Sequence, residues 1–253
     1  MRLALLSDVH GNTVALDAVL DDVAAQGGVD AYWALGDLAA IGPDPLGAVE
    51  RLRALPDVGF TRGNTDRYIT VGDRPGPPAS EVAADPDRLA RVVEAERAFA
   101  WSQGVITGAG LLDWFEALPM EQRLTLPDGT RLLGVHASPG RDDGPGLTAE
   151  QSDAEIGASL DGCDAELVVA GHTHRPIDRR VGDVHVVNLG SVSLPPTPDD
   201  LRASYVLLDA SDEGYRVEHR RVDYDRDAVI EHGRRVRYPG TEFVASILRG
   251  GFG

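Results

Sequence analysis

Sulfur is nearly absent from this chain. Of its 253 residues, one is cysteine, Cys163. That excludes an internal disulfide and fits a reducing cytosol. Long apolar runs are absent too, and none approaches the ~20 residues of a membrane-spanning helix. The first apolar stretch, Arg2-Leu3-Ala4-Leu5-Leu6, meets polar Ser7 and Asp8 at once and has no small-residue cleavage site after it. It is too short for a signal peptide. The expectation is a cytoplasmic protein without a membrane partner. Basic charge is scarce: 24 Lys and Arg against 41 Asp and Glu leave a formal net charge of −17. Non-specific binding to nucleic acid polymers rests on Lys and Arg neutralising phosphates, so such a partner is disfavoured, as is an anionic membrane. A small phosphorylated substrate is not excluded, because metal ions can reverse the local sign of a site. What is present is ordinary globular material, 42% hydrophobic and 26% charged, enough for a large core. No internal repeat is visible, and homo-oligomerisation is left open.

The chain begins with a regular alternation. Residues 2 to 8 read as a strand. Asn12 can cap a helix with apolar positions Val14, Leu16, Val19, Leu20, Val23 and Ala24, which Gly27-Gly28 ends. A strand over 31–35, a helix over about 45–55 and a strand over 58–61 follow. This order predicts right-handed βαβ units and a parallel sheet. Residues 72–80, rich in Pro and Gly, read as a linker. Residues of about 80–118 read as a helical insertion, either shaping a substrate pocket beside the strand ends or simply packing on the sheet. The second half is richer in strands. Arg123–Leu126 and Arg131–Val135 flank a Pro127-Asp128-Gly129-Thr130 turn as a hairpin. A helix around 149–160, a strand over 167–170 and strands over 184–189, 205–209 and 215–222 follow. A C-terminal helical tail covers about 225–253. The whole is read as one domain, 1–253.

The chemistry gathers at strand ends. Residues i and i+2 of an extended chain face the same way, so His172 and His174 leave their strand with both imidazoles on one side. Asp8 and His10 repeat the spacing. Asp37, Asn64 and His136 end three further strands. In open α/β sheets, sites lie outside the carboxyl ends of the strands, so these residues should converge. His185, His219 and His232 fall outside the set and are expected to be structural or surface residues. Seven donors suit two metals rather than one four-coordinate ion. Two ions ~3.5–4 Å apart usually share a carboxylate and a hydroxide. The mixed nitrogen and oxygen set suits divalent Mn, Fe, Zn, Ni or Co, and is too imidazole-rich for Mg or Ca.

Asp8-Val9-His10, Gly36-Asp37, Gly63-Asn64, His136 and Gly171-His172-Thr173-His174 resemble the five ordered motifs of the calcineurin-like metallophosphoesterase superfamily. The resemblance covers residue 2 to about 223. It implies a four-layer αββα sandwich, two mixed β-sheets packed face to face with helices outside. It also implies one metal on Asp8, His10, Asp37 and His174 and another on Asp37, Asn64, His136 and His172, with Asp37 bridging. Asn64 and His174 would lie near the phosphoryl oxygens, and Asp66 would orient His10 or a substrate group. Many members have His after the motif-three Asn; here the position is Thr65, which can donate a hydrogen bond but is no acid near pH 7. The small bacterial and archaeal phosphodiesterase branch similarly lacks that His. Asn188-Leu189-Gly190-Ser191 resembles the family's Asn-Pro-Gly-Ser segment, with Leu189 replacing Pro. Arg62, Arg67 and Arg175 are candidates for added positive charge. The implied function is hydrolysis of phosphodiester or phosphoanhydride bonds of small phosphorylated substrates by a metal-bridging hydroxide. The alternatives are a non-catalytic scaffold, which the complete ligand set opposes, and a nuclease, which the acidic composition opposes.

Overall fold

Leu3 and Leu5 point to one face of the first strand and Ala4 and Leu6 to the other, and all four are buried. A strand apolar on both faces must be covered on both, and that requirement sets the layers. The structure is a computed structural model that describes residues 1–251. Its elements in order are β1 (Arg2–Leu6), α1 (Thr13–Ala25), β2 (Ala31–Leu35), α2 (Pro45–Arg53), β3 (Val58–Thr61), α3 (Asn64–Val71), α4 (Ala79–Val82), α5 (Pro86–Gly108) and α6 (Leu112–Glu116). The second half adds β4 (Glu121–Thr125), β5 (Arg131–Val135), α7 (Asp153–Ser159), β6 (Leu167–Ala170), β7 (Ile177–Val181), β8 (Val184–Asn188), β9 (Ala203–Ser211), β10 (Gly214–Val222), α8 (Arg226–Val236) and α9 (Thr241–Leu248).

The strands form two five-stranded mixed sheets, ordered β10-β9-β1-β2-β3 and β4-β5-β6-β8-β7. In the first, β1, β2 and β3 run parallel, and β9 lies antiparallel to β1. In the second, β5, β6 and β8 run parallel between antiparallel edges β4 and β7. Between the sheets, Leu3, Leu5, Trp33, Leu35, Val206 and Leu208 meet Leu132, Leu167, Val169, Val187 and Leu189. Burying each such side chain contributes ~1.5–3 kcal/mol. Outside the first sheet, Ala4, Leu6 and Tyr205 pack under residues of α1, α2, α3, α5, α6, α8 and α9. Outside the second, Val168, Ala170 and Val186 pack against Ile156 of α7 and Leu160. This is the expected sandwich.

Several boundaries differ from expectation. β1 stops at Leu6 because Asp8 and His10 take left-handed backbone angles. The helix expected over 149–160 is confined to Asp153–Ser159 by a Ser152–Glu155 capping box. β7 was not expected; only its end residues are buried, and Arg179 and Arg180 occupy its middle, as an edge strand allows. α3 was also not expected. In the insertion, Phe99, Ile106, Phe115 and Leu118 join the outer core with the first sheet. Part of the expected tail, Phe252 and Gly253, lies outside the described residues.

Candidate metal centre

Each parallel strand end delivers its donors to one place. Asp8 and His10 follow β1, Asp37 follows β2, Asn64 opens α3 after β3, His136 follows β5, and His172 and His174 follow β6. His174 Nε2 lies 3.2 Å from Asp8 Oδ1 and 3.2 Å from His10 Nε2. Asn64 Oδ1 lies 3.0 Å from His136 Nε2 and 3.0 Å from His172 Nδ1. Asp37 stands between the two groups: its Oδ2 is 3.7 Å from His10 Nε2 and its Oδ1 3.4 Å from His136 Nε2. All seven expected donors are therefore brought together, in two sets that meet at Asp37.

The backbone is bent hard to achieve this. Asp8, His10, Asp37, His172 and His174 have φ of 58°, 48°, 54°, 67° and 59°. Non-glycine residues rarely adopt this region, and clustering of such strain marks functional sites. The glycines before the donors are demanded by close approach. A Cβ on Gly63 would sit 2.1 Å from Asp37 Oδ1, and one on Gly171 would sit 1.8 Å from Ser7 Oγ.

Ring orientation is set by backbone carbonyls. His10 Nδ1 donates to Ala40 O at 2.8 Å and His136 Nδ1 to Leu35 O at 2.7 Å, which leaves each Nε2 lone pair facing inward. His172 Nε2 donates to Gly144 O at 2.8 Å, leaving Nδ1 inward. The donor set fits a cation. Asp8 Oδ1 is buried with no hydrogen-bond partner among the described residues. Lone pairs of His10 and His136 face other acceptors at hydrogen-bond distance, an arrangement that needs positive charge between them. The electrostatics of the donors point the same way. Burial opposes charging His136, yet the Asp37 carboxylate drives its pKa up to about 10. Burial likewise opposes ionising Asp37 and Asp8, yet His136 holds Asp37, and His174 holds Asp8, below the usual carboxylate range.

Other expected residues have different positions. Asp66 makes no hydrogen bond to His10 among the described residues. Its carboxylate is fully buried and accepts from the backbone N–H of Asp37 at 2.8 Å, Leu38 at 3.0 Å and Gly63 at 2.9 Å. It thus caps α3 and holds the Asp37 turn, which corrects the role expected for it. Burial, then the Asp37 charge, pushes its pKa up to about 7 against those donors. Thr65 uses its backbone N–H to donate to Asp37 Oδ1 at 2.9 Å, while its hydroxyl is buried without a partner among the described residues. Arg62 is paired with Asp142 at 2.8 Å, Arg67 with Asp142 and Asp143, and Arg175 with Glu150 at 2.8 Å. His185 and His219 bond to Asp178 and Asn188 O, and His232 to Arg235, all outside the centre.

The supports were not foreseen, apart from the Asn188 segment. Asn188 Nδ2 donates to Gly171 O at 2.6 Å, and Ser191 Oγ to Asp8 O at 3.0 Å. Leu189 N–H donates to Ala170 O at 2.8 Å, a bond that proline at this position could not make. The loop carrying Gly144 is strapped to α3 by Arg67 and by the Tyr68 hydroxyl, which donates to Asp143. Only the paired Asp142-Asp143 after His136 could have signalled it.

Known proteins resemble this chain in sequence and in fold. Over 255 aligned residues the chain is 26% identical to an uncharacterized protein of Methanocaldococcus jannaschii, covering 94% of this chain and 93% of that one. Over 70 residues, 27% of this chain and 26% of the relative, it is 37% identical to a symmetrical bis(5′-nucleosyl)-tetraphosphatase of Erwinia tasmaniensis. The solved metallophosphoesterase from Sphaerobacter thermophilus superposes with a TM-score of 0.75 at 27% identity, covering 100% of this chain and 99% of its own. A hypothetical protein from Pyrococcus horikoshii superposes at 0.80 with 22% identity, covering 99% and 98%, and shares the fold. The family model of the calcineurin-like phosphoesterase superfamily domain matches residues 1–213. What lies beyond that match is β10 and the two C-terminal helices, and the chain belongs to the calcineurin-like phosphoesterase superfamily.

Proposed function

We propose that the chain is a dinuclear metal-dependent phosphoesterase hydrolysing phosphodiester or phosphoanhydride bonds of small phosphorylated substrates. The observation that carries this reading is Asp37, whose two oxygens face one donor set each. Asp8, His10, Asp37 and His174 would hold one ion, and Asp37, Asn64, His136 and His172 the other. Two divalent ions of the Mn, Fe, Zn, Ni or Co type supply an activated water and neutralise phosphoryl charge when bound. The residues' part is to hold geometry: the Ala40 and Leu35 carbonyls fix the tautomers of His10 and His136, and Asp66 fixes the Asp37 turn. His174 and Asn64, both partly buried, would orient phosphoryl oxygens. The single thiol, Cys163, is consistent with a cytoplasmic setting.

The Thr65 hydroxyl is buried and offers no proton to a leaving group. General acid catalysis contributes ~10²–10⁴-fold, so its lack matters most for poor leaving groups. Aryl diesters and anhydrides, whose leaving groups depart as stable anions, are the favoured substrates. The partial match to a tetraphosphatase supports the anhydride branch of this reading. The test is a leaving-group series on manganese-loaded protein. Turnover should fall steeply as leaving-group pKa rises. A flat dependence would show that another acid serves the site.

A further inference from the structure

A second cavity adjoins the centre on the His174 side. It has a volume of about 290 Å³ and is lined by His174, Arg175, Arg202, Arg221, Ser191 and Ser204, with Pro195 and Pro196 as an apolar wall. It touches the centre twice: His174 is one donor, and Ser191 bonds the Asp8 carbonyl. Three guanidiniums here face two carboxylates, Glu150 and Asp200, so one positive charge is left over in a chain of net charge −17.

Each guanidinium is tied along only part of its donor edge. Arg202 grips Asp200 through Nε and Nη2, both at 2.8 Å. Arg221 uses Nη1 on Ser204 and Nε on Asp200 at 3.4 Å. Arg175 uses Nη1 on Glu150 at 2.8 Å. Arg202 Nη1, Arg221 Nη2 and Arg175 Nε and Nη2 have no side-chain or backbone acceptor among the described residues. Held side by side on one acid, Arg202 and Arg221 repel each other, and burial lowers the Arg221 pKa as well. A bound anion relieves both costs.

We propose that this cavity is a second anion subsite, and that the substrate carries a further phosphoryl group beyond the one attacked at the metal centre. The inference rests on the phosphoesterase reading above. Guanidinium edges match phosphate oxygens in a planar, bidentate way. Pockets for drug-sized ligands span ~300–1,000 Å³, so about this volume suits a phosphate with its linker and not a whole nucleotide. The second phosphoryl group is joined to the first directly, as an anhydride, or through a short ester linker.

The test uses manganese-loaded full-length protein and three probes. Two are thymidine 5′-p-nitrophenyl phosphate and the same diester bearing a 3′-phosphate. The third is inorganic diphosphate, with orthophosphate as reference, measured by calorimetry. Wild type should prefer the 3′-phosphorylated diester in kcat/KM or bind diphosphate over orthophosphate by about tenfold or more, the scale of a charge-assisted hydrogen bond. The first result identifies an ester-linked group, the second an anhydride. Arg202→Ala, at an exposed residue bonded among the described residues only to Asp200, should remove most of that preference, and Arg175→Ala part of it. A preference unchanged in both variants, or absent from wild type, overturns the subsite. If wild type hydrolyses neither the two diesters nor diphosphate, the phosphoesterase reading fails. The subsite is then judged on diphosphate alone: Arg202-dependent binding supports it, and Arg202-independent binding refutes it.

Discussion

The two sheets bring different chemistry to the same place. β1, β2 and β3 end in both carboxylates, the amide and one imidazole: Asp8, His10, Asp37 and Asn64. β5 and β6 end in imidazoles alone: His136, His172 and His174. The first sheet alone would bury two carboxylates with too little positive charge nearby. The second alone would present bare imidazoles. Contacts across the sandwich join the two. His136 Nδ1 donates to Leu35 O, and the His172 backbone N–H donates to Asp8 Oδ2 at 3.0 Å. Residues of the centre therefore make some of the contacts that fasten the sheets at this end, beside those of Ser191, Val192 and Ser193 to the backbone of Ser7 and Asp8.

The largest effect should come from removing the residue both donor sets share. Asp37→Ala should lower phosphodiester turnover by on the order of 10³-fold or more, at or beyond the cost of losing one preorganised electrostatic group. Wild-type turnover in that variant would break the comparison. Next is the support behind Asp37. Asp66→Ala leaves three buried N–H donors without an acceptor, at ~1–3 kcal/mol each, so stability should fall by about 3 kcal/mol or more by denaturant unfolding. Asp66→Asn should recover part of it; equal losses in both variants would show that the carboxylate is not acting as an acceptor.

Third, Gly171→Ala drives a methyl into Ser7 and Asp8, which follow β1 of the opposite sheet. Overpacking of this kind costs ~1–3 kcal/mol, and the loss should come with weaker metal binding. Lost stability with unchanged metal affinity would separate packing from site formation. The smallest effect is a control at the other end of β8. His185 bonds Asp178 and Tyr215, away from the centre. His185→Ala should cost about 1 kcal/mol of stability and leave turnover within about twofold of wild type.

The convergence of the seven donors was legible in the sequence because strand geometry turns spacing into direction. His172 and His174 are two apart after an apolar run, and Asp8 and His10 repeat the pattern. The sandwich was expected from the resemblance of the motifs, whereas the unbroken apolar run Leu3 to Leu6 by itself reads only as a strand covered on both faces. What stayed hidden depends on distant partners or on ambiguous residues. Asp66 reads from sequence as a site residue, and its structural role shows only where Gly63, Asp37 and Leu38 aim their N–H groups at it. α3 was obscured because its cap is a glycine and its capping acceptor lies three residues on. β7 hid because an edge strand with Arg179 and Arg180 at its middle has no alternating apolar face. The Tyr68–Asp143 strap joins residues 75 apart, and no local pattern announces it.

The central claim is that the two sheets together hold two ions through one shared carboxylate. Metal analysis of manganese-saturated protein, freed of excess ion, tests it most directly. The account predicts two ions per chain in wild type, with both positions lost in Asp37→Ala. A wild-type ceiling of one ion per chain, or an Asp37→Ala variant that still holds two, would contradict it.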